Sequence, residues 1–268
     1  MDDHWSSAKT GLSLACNHAQ TSQPSRKDAI RQSHTTMIKA IILDLDGTVG
    51  YTMPELHRAI NETLRHFGHP EHTVEELYQW VNFHSREWIS GCLPAGSSEE
   101  HITETLAYYN GVYGKCYLDT DYYPGVEALL HKWIDEGYPV CMMSNKAHNH
   151  VVGLAKKLSR IEAIPDDPDD FTTFGRVGIF TLAWGVSDRF PPKPAPDSSL
   201  AIAQQLGLDP SEVAFVGDSE VDVNTARNAG MVGISVTWGY RPRAFHAGMG
   251  VVNLADTPEE LDRLIHTL

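Results

Sequence analysis

The segment Ile38-Lys39-Ala40-Ile41-Ile42-Leu43 constrains the fold more than any other part of this chain. It is almost wholly apolar and rich in β-branched residues, as a strand buried on both faces should be, and such strands belong to parallel sheets covered by helices. The run stops abruptly at Asp44-Leu45-Asp46-Gly47-Thr48. Carboxylates at the carboxyl end of a buried parallel strand lie where open α/β sheets bind their ligands. An extended pleat points residues two apart to the same side, so Asp44 and Asp46 can address one ligand.

Strand and helix patterns then alternate. Leu56, Ile60, Leu64 and Phe67 recur at helical spacing, and Thr73 with Glu76 and Ser97 with Glu100 have the spacing of capping boxes that open two further helices. Residues 51–123 therefore read as an all-helical cap inserted into the strand pattern. The pattern restarts at Tyr123-Pro124-Gly125, with a helix face of Val126, Leu129, Leu130, Trp133 and Ile134, Pro124 near its first position and Gly137 ending it. A strand Val140 to Met143 runs into Ser144-Asn145-Lys146, and a helix follows from about Ala147. Next come an apolar stretch Val177 to Leu182, a helix from about Pro196 to Leu206, a strand Val213 to Val216, a helix to Ala229, a strand Val232 to Val236, and a last helix opened by Thr257, Pro258 and Glu260. The expected fold is α/β, a Rossmann-like parallel sheet with flanking helices, built from residues 37–50 and 124–268 and carrying the cap.

Three expected strand ends thus hold polar residues: Asp44 and Asp46, then Ser144 and Asn145, then Asp218, Ser219 and Asp222 in Gly217-Asp218-Ser219-Glu220-Val221-Asp222. Lys193, in Lys193-Pro194-Ala195-Pro196-Asp197, falls between the last two. Singly, each is more often a turn or a helix cap than a catalytic group. In this order they resemble the four motifs of the haloacid dehalogenase-like superfamily, in its phosphatase branch: LDLDGTV, MSNK, Lys193 of KPAPD, and VGDSEVDV. The resemblance covers about residues 38 to 268, and YPGV at 123–126, NAGM at 228–231 and VTWGY at 236–240 are similar to the phosphoglycolate phosphatase group.

That resemblance implies a phosphatase acting on a small phosphorylated metabolite, with 2-phosphoglycolate the first substrate to try. By motif match, Asp44 is the nucleophile that forms an aspartyl-phosphate, and Asp46 is the acid/base that serves first the leaving oxygen and then the attacking water. Asp44, Asp218 and the backbone carbonyl of Asp46 would hold Mg2+, a hard cation suited to oxygen. Ser144 and Lys193 would grip the phosphoryl group, with Asn145 in the same phosphate-binding segment. Thr48 would orient Asp46, Ser219 would support the site, and Asp222 would steady Lys193 or metal-bound waters. The D-x-D pair favours phosphoryl transfer over C–halogen cleavage but does not separate a phosphatase from a phosphosugar mutase. A non-catalytic phosphometabolite-binding module is the reading of another class. Gly50-Tyr51-Thr52 departs from the acidic residue and Ser that many relatives carry there. Arg86, Glu87, Trp88 and the turn Leu93-Pro94-Ala95-Gly96 are the cap candidates for specificity.

Composition limits the alternatives. With 35 Asp and Glu against 21 Lys and Arg the chain carries −14, which argues against a nucleic-acid surface and requires any phosphate site to supply its own cations. Residues 1–36 hold four basic and three acidic groups, so the other residues hold −15; their polar, aperiodic sequence reads as a disordered extension. Cys16, Cys92, Cys116 and Cys141 form no C-x-x-C pair, and four free thiols fit the cytoplasm. No apolar run reaches the roughly 18 to 20 residues that span a bilayer, and Leu14-Ala15-Cys16 lacks the apolar core of an export signal. Monomer and homodimer both stay open. His148 with His150, and His69 with His72, are expected at the solvated surface, and Asp166 to Asp170 as a solvated loop. Trp238 and Tyr240 are expected to support the site. In the long segment from about Ile161 to Pro192, Trp184 and Phe190 are expected to pack that loop down.

Overall fold

A computed structural model describes residues 37–160 and 175–268. The expected N-terminal extension and the acidic stretch Asp166 to Asp170 lie outside the described residues. The first strand, β1 (Ala40–Leu43), alternates its side chains between two apolar layers. Ile41 and Leu43 face Trp133 and Leu130 of α5 (Val126–Asp135), helix α6 (His148–Leu158), and Leu261 and Ile265 of α10 (Pro258–Thr267). Ala40 and Ile42 face Ile202 and Ala203 of α7 (Asp197–Leu206) and Ala226 and Ala229 of α8 (Glu220–Ala229). Burial on both faces is why this strand reads as a continuous apolar run.

The sheet contains β1, β4 (Val140–Ala147), β5 (Leu182–Val186), β6 (Val213–Gly217), β7 (Val232–Val236) and β8 (Leu254–Ala255), in the order β5-β4-β1-β6-β7-β8 and parallel throughout. After β1 the chain builds outward through β4 and β5, then returns to pair β6 with the other side of β1. The direction of connection reverses between β1 and β6, and the crevice beyond the carboxyl ends of such a pair is the natural ligand site.

A helical insertion separates β1 from β4. It enters at β2 (Gly50–Tyr51) and leaves at β3 (Asp121–Tyr122), which pair antiparallel, so both crossings share one two-stranded ribbon. Between them lie α1 (Met53–His66), α2 (Val74–Leu77), α3 (Ser85–Cys92) and α4 (Glu99–Tyr113), with an apolar cluster of their own that includes Leu56, Ile60, Leu64, Ile89, Ile102 and Tyr109.

Several local expectations change. Thr73 and Glu76 do form a capping box, but the helix it opens is one turn long. The next cap is Ser98, whose Oγ accepts from His101 N, while Ser97 Oγ donates to Pro94 O. The α3 helix, begun by His84, was not expected. Helix α5 starts after Gly125, which holds φ +82°, so Pro124 precedes the cap rather than opening the helix. Val177 and Phe180 exchange backbone hydrogen bonds of 3.0 Å around Gly178-Ile179, and this tight turn moves the strand on to β5. Helix α9 (Arg243–Gly248) and edge strand β8 had no periodic signal.

Among the described residues no helix is long and apolar enough to cross a membrane. Cys92, Cys116 and Cys141 are buried and free. Trp133 is fully buried and donates its indole N–H to Asp262 Oδ1 at 3.0 Å, tying α5 to α10. Trp133→Ala should therefore destabilise the fold by about 3–5 kcal/mol, read as a lower urea midpoint at unchanged slope.

Candidate active site

At the end of β1 the amide of Asp44 donates to Val216 O at 2.8 Å, continuing the ladder to β6. The chain then turns about the Leu45 carbonyl, which accepts from the amides of Val49 and Gly50 at 3.1 and 2.8 Å. Gly47 makes the turn at φ +85°, where a Cβ is disfavoured. A Cβ there would also lie 2.3 Å from Asp218 Oδ2. Gly239, after β7, is under the same restriction, since its Cβ would lie 2.4 Å from that oxygen. Two glycines thus clear the space in which Asp218 approaches β1.

The expected site residues converge on this edge. Lys193 Nζ lies 2.8 Å from Asp44 Oδ1 and 2.6 Å from Asp222 Oδ1, and the side chains of Lys193 and Asp44 are each only 3% exposed. Asp222 Oδ2 accepts from Ser219 Oγ at 2.7 Å and from Ser219 N at 3.1 Å, so both its oxygens are engaged. Asp218 Oδ2 accepts from Tyr240 N at 2.6 Å. Ser144 Oγ donates to Asp46 Oδ2 at 3.3 Å, and Lys146 Nζ lies 3.0 Å from Asp46 Oδ1.

Two expectations shift within the site. Thr48 Oγ1 donates to Asp218 Oδ1 at 3.3 Å, so its partner is Asp218 and not Asp46. Asn145, expected in the phosphate-binding segment, turns its side-chain amide to neighbouring backbone. Its Nδ2 donates to Lys193 O at 3.0 Å and Asn82 O at 3.3 Å, and its Oδ1 accepts from Lys193 N at 2.8 Å. The amide is fully used in fixing the Lys193 backbone and docking the loop before α3.

Burial and charge set the electrostatics. Burial pushes the Asp44 carboxyl up to about 7; Lys193 opposes this, while Asp222 and Asp46 add to it. Asp218 is raised well above the usual carboxylate range, first by burial and then by Asp222 and Asp44. Burial works against the Lys193 ammonium, yet Asp222 and Asp44 outweigh it and hold its pKa raised. Four buried carboxyl groups, Asp44, Asp46, Asp218 and Asp222, face two ammonium groups, Lys146 and Lys193, so the site holds more acidic groups than cations to balance them all in ionised form. Asp44, Asp218 and Asp222 each offer an oxygen within 4.8 Å of the others. Asp222 carries the Lys193 ammonium on one oxygen and both Ser219 donors on the other, whereas Asp218 holds neutral donors alone, Thr48 and Tyr240 N, which makes Asp218 the better donor of the two. An all-oxygen set with more carboxyl groups than cations fits a hard divalent cation.

The insertion covers this edge. A cavity of about 40 Å³ lies between Asp44, Asp46, Ser144, Lys146 and Lys193 on one side and Leu56, Asn82, Phe83, Trp88, Tyr109 and Tyr113 on the other. The loop after β7 holds the insertion from below. Tyr240 OH shares a 2.8 Å hydrogen bond with Thr52 Oγ1 and its ring stacks on Tyr78 at 5.6 Å, while Arg241, paired with Glu220 at 2.9 and 2.8 Å, donates to Tyr78 O. Trp238 donates its indole N–H to Thr48 O at 3.1 Å.

Residues 38–230 match the haloacid dehalogenase-like hydrolase family. The chain belongs to that family. Haloacid dehalogenase-like phosphatases generally use a divalent metal, in keeping with the acidic cluster. The chain is similar to phosphoglycolate phosphatase 1 of Pseudomonas aeruginosa, 30% identical over 83% of this chain and 79% of that protein. A phosphoglycolate phosphatase of Haemophilus influenzae is 25% identical over 76% of this chain and 88% of its own length. Among solved structures, a Lactobacillus delbrueckii protein provisionally assigned as a phosphoglycolate phosphatase has a TM-score of 0.71 at 27% identity, covering 87% of this chain and all of that one. CbbY of Rhodobacter sphaeroides, solved with xylulose-(1,5)bisphosphate, shares the fold with a TM-score of 0.68 at 20% identity, over 87% of this chain and 100% of that one.

Elsewhere the structure revises the histidines. His148 and His150 are not at the solvated surface but 6% and 9% exposed on α6. His148 Nδ1 accepts from Gly185 N at 3.1 Å and its ring packs on Trp184 at 4.3 Å; His150 packs against Tyr113 at 5.2 Å and lines the cavity. His69 Nε2 pairs with His101 at 2.7 Å and His72 Nε2 with Cys92 O at 2.8 Å, both half-buried. Trp184 and Phe190 pack edge to face at 5.6 Å. Of the cap candidates only Trp88 lines the cavity, since Arg86 pairs with Glu99 away from it. Lys146, Asn82 and Tyr113 are the additions: Lys146 sits inside a quoted motif, whereas Asn82 and Tyr113 carry no sequence signal. Lys193→Met should destabilise the protein by about 3–5 kcal/mol in chemical denaturation, because it strands Asp44 and Asp222 without a counter-charge.

Proposed function

We propose that the chain is a Mg2+-dependent phosphatase for a small phosphate monoester, with 2-phosphoglycolate as its first candidate substrate. The observation that carries this reading is the pairing of buried Asp44 with Lys193, with Asp46 beside it, in the crevice where the strand connections reverse. The names of the curated relatives support the choice of substrate.

A phosphate monoester repels an anionic nucleophile, so its charge must be offset and the attacking oxygen aligned. Lys193 and Ser144 grip the non-bridging oxygens. An Asp44 carboxylate oxygen attacks phosphorus, and the bond to the ester oxygen breaks as Asp46 delivers a proton to it, releasing the alcohol and leaving an aspartyl-phosphate. Water then gives a proton to Asp46 and attacks the same phosphorus. The Asp44–phosphorus bond breaks, inorganic phosphate departs, and both carboxyls return to their starting states. Asp44, Asp218 and the Asp46 carbonyl would hold Mg2+, which when bound supplies positive charge against the phosphoryl oxygens. Asp222 and Ser219 keep Lys193 directed at Asp44, and Asn145 fixes its backbone. The helical insertion acts as a lid that excludes bulk water from the acyl-phosphate.

Purified protein with Mg2+ should release phosphate from 2-phosphoglycolate, and Asp44→Asn should lower the rate by about a thousandfold or more. Full activity in that variant overturns Asp44 as nucleophile. Mg2+ alone should raise the melting temperature of the wild-type protein, and Asp218→Asn should abolish that rise.

A further inference from the structure

A second cavity, of about 140 Å³, lies between α8, β7 and the chain after α9, and it shares no lining residue with the cavity under the insertion. Gly233 of β7 faces Ala226 of α8, with 3.1 Å between the Ala226 Cβ and the place a Gly233 Cβ would take. Beside this close approach Phe215, Val223, Met231 and Val251 line the space with apolar side chains. Val252 lines it too, and at 87% it is the most exposed large apolar side chain among the described residues, so the lining runs out to solvent. An apolar cavity forfeits packing that a small apolar group restores, and one of similar size holds a ring of about six carbons.

Arg227, exposed on α8, is the one cation of the lining. Its guanidinium donates to Met249 O at 2.6 Å and has no carboxylate partner among the described residues, whereas Arg58, Arg160, Arg241 and Arg263 are each paired with one. In a chain of net charge −14, an unpaired guanidinium beside an apolar cavity has donors to spare for an anion. We propose that this cavity is a ligand site for a small monocarboxylate with an apolar body of about six carbons.

Charge fixes both the head group and its direction. Asp222 also lines the cavity and is buried, with its two oxygens bonded to Lys193 and to Ser219. An acidic wall there tells against a second anionic group at the inner end of the ligand, so the ligand carries its charge at Arg227 and its apolar body inward. A carboxylate fits the planar guanidinium fork with a single charge. A phosphate ester would set nearly two charges against one cation in the neighbourhood of Asp222.

The test uses the full chain labelled with 13C at the methionine methyls, with hexanoate as the probe and Met231→Leu to assign the Met231 signal. Hexanoate should move that signal saturably, and acetate, which lacks the body, should leave it in place. Hexan-1-ol, which keeps the body and drops the charge, should bind at least about tenfold more weakly than hexanoate. Arg227→Gln, a change at an exposed position, should bring hexanoate down to the affinity of the alcohol. The readout is binding and needs no turnover, so it stands or falls apart from the phosphatase reading. A Met231 signal that hexanoate does not move saturably overturns the site. Equal affinities of wild type for hexanoate and hexan-1-ol overturn it as well, whether or not the Arg227 variant folds.

Discussion

The structure depends on charge held out of water at one edge of a sheet. Asp44, Asp46, Asp218 and Asp222 are buried where β1 and β6 end, and among the described residues the ammonium groups of Lys146 and Lys193 are placed against them. Burying ionised groups is expensive unless each is paired and hydrogen-bonded, so the surrounding chain is arranged to pair them. Ser219 and Lys193 occupy Asp222, Tyr240 N and Thr48 occupy Asp218, and Ser144 and Lys146 flank Asp46. The acidic surplus suits a cation, the kind of group that family phosphatases generally hold. An acidic chain that repels phosphate at long range concentrates its compensation at this one point.

Asn145 links that charge cluster to the lid. One side-chain amide fixes the Lys193 backbone through two hydrogen bonds and spends its remaining donor on Asn82 O. The loop that carries Asn82 into the cavity is therefore docked on the same group that positions Lys193. On the opposite side Tyr240 couples Asp218, through its amide, to Thr52 at the entry of the insertion, through its hydroxyl. The insertion is thus bonded to residues that hold the charged groups in register.

The sheet was legible because burial on both faces leaves a continuous apolar run in the sequence, and because each run ended in the polar residues that now share the crevice. Asp44, Asp46, Ser144, Asp218 and Asp222 follow such runs, Lys193 stands in the KPAPD motif, and the structure brings the six together. What escaped detection depends on contacts between distant segments. Thr48 is adjacent to Asp46 in sequence, yet the turn about Leu45 O aims it at Asp218. His148 and His150 read as surface residues because helix periodicity does not say which neighbours cover a face; here Trp184 and Tyr113 do. The Val177–Leu182 stretch has strand composition, but Gly178 permits the tight turn that delays β5. Asn82 and Tyr113 sit in ordinary helical and loop sequence, and only the folded insertion brings them over the site.

The two walls of the cavity are built on different terms. Each charged group of the core is the counter-ion or hydrogen-bond partner of another, so altering Lys193 or Asp222 leaves a buried charge uncompensated and burdens folding as well as chemistry. Asn82, Trp88 and Tyr113 present polar atoms that no described protein group requires. Replacing those atoms leaves no described protein group without a partner, provided the packing volume is kept. The wall at the sheet edge is thus fixed by its own electrostatics, while the wall built by the insertion can change its polar atoms without disturbing the carboxylate and lysine array.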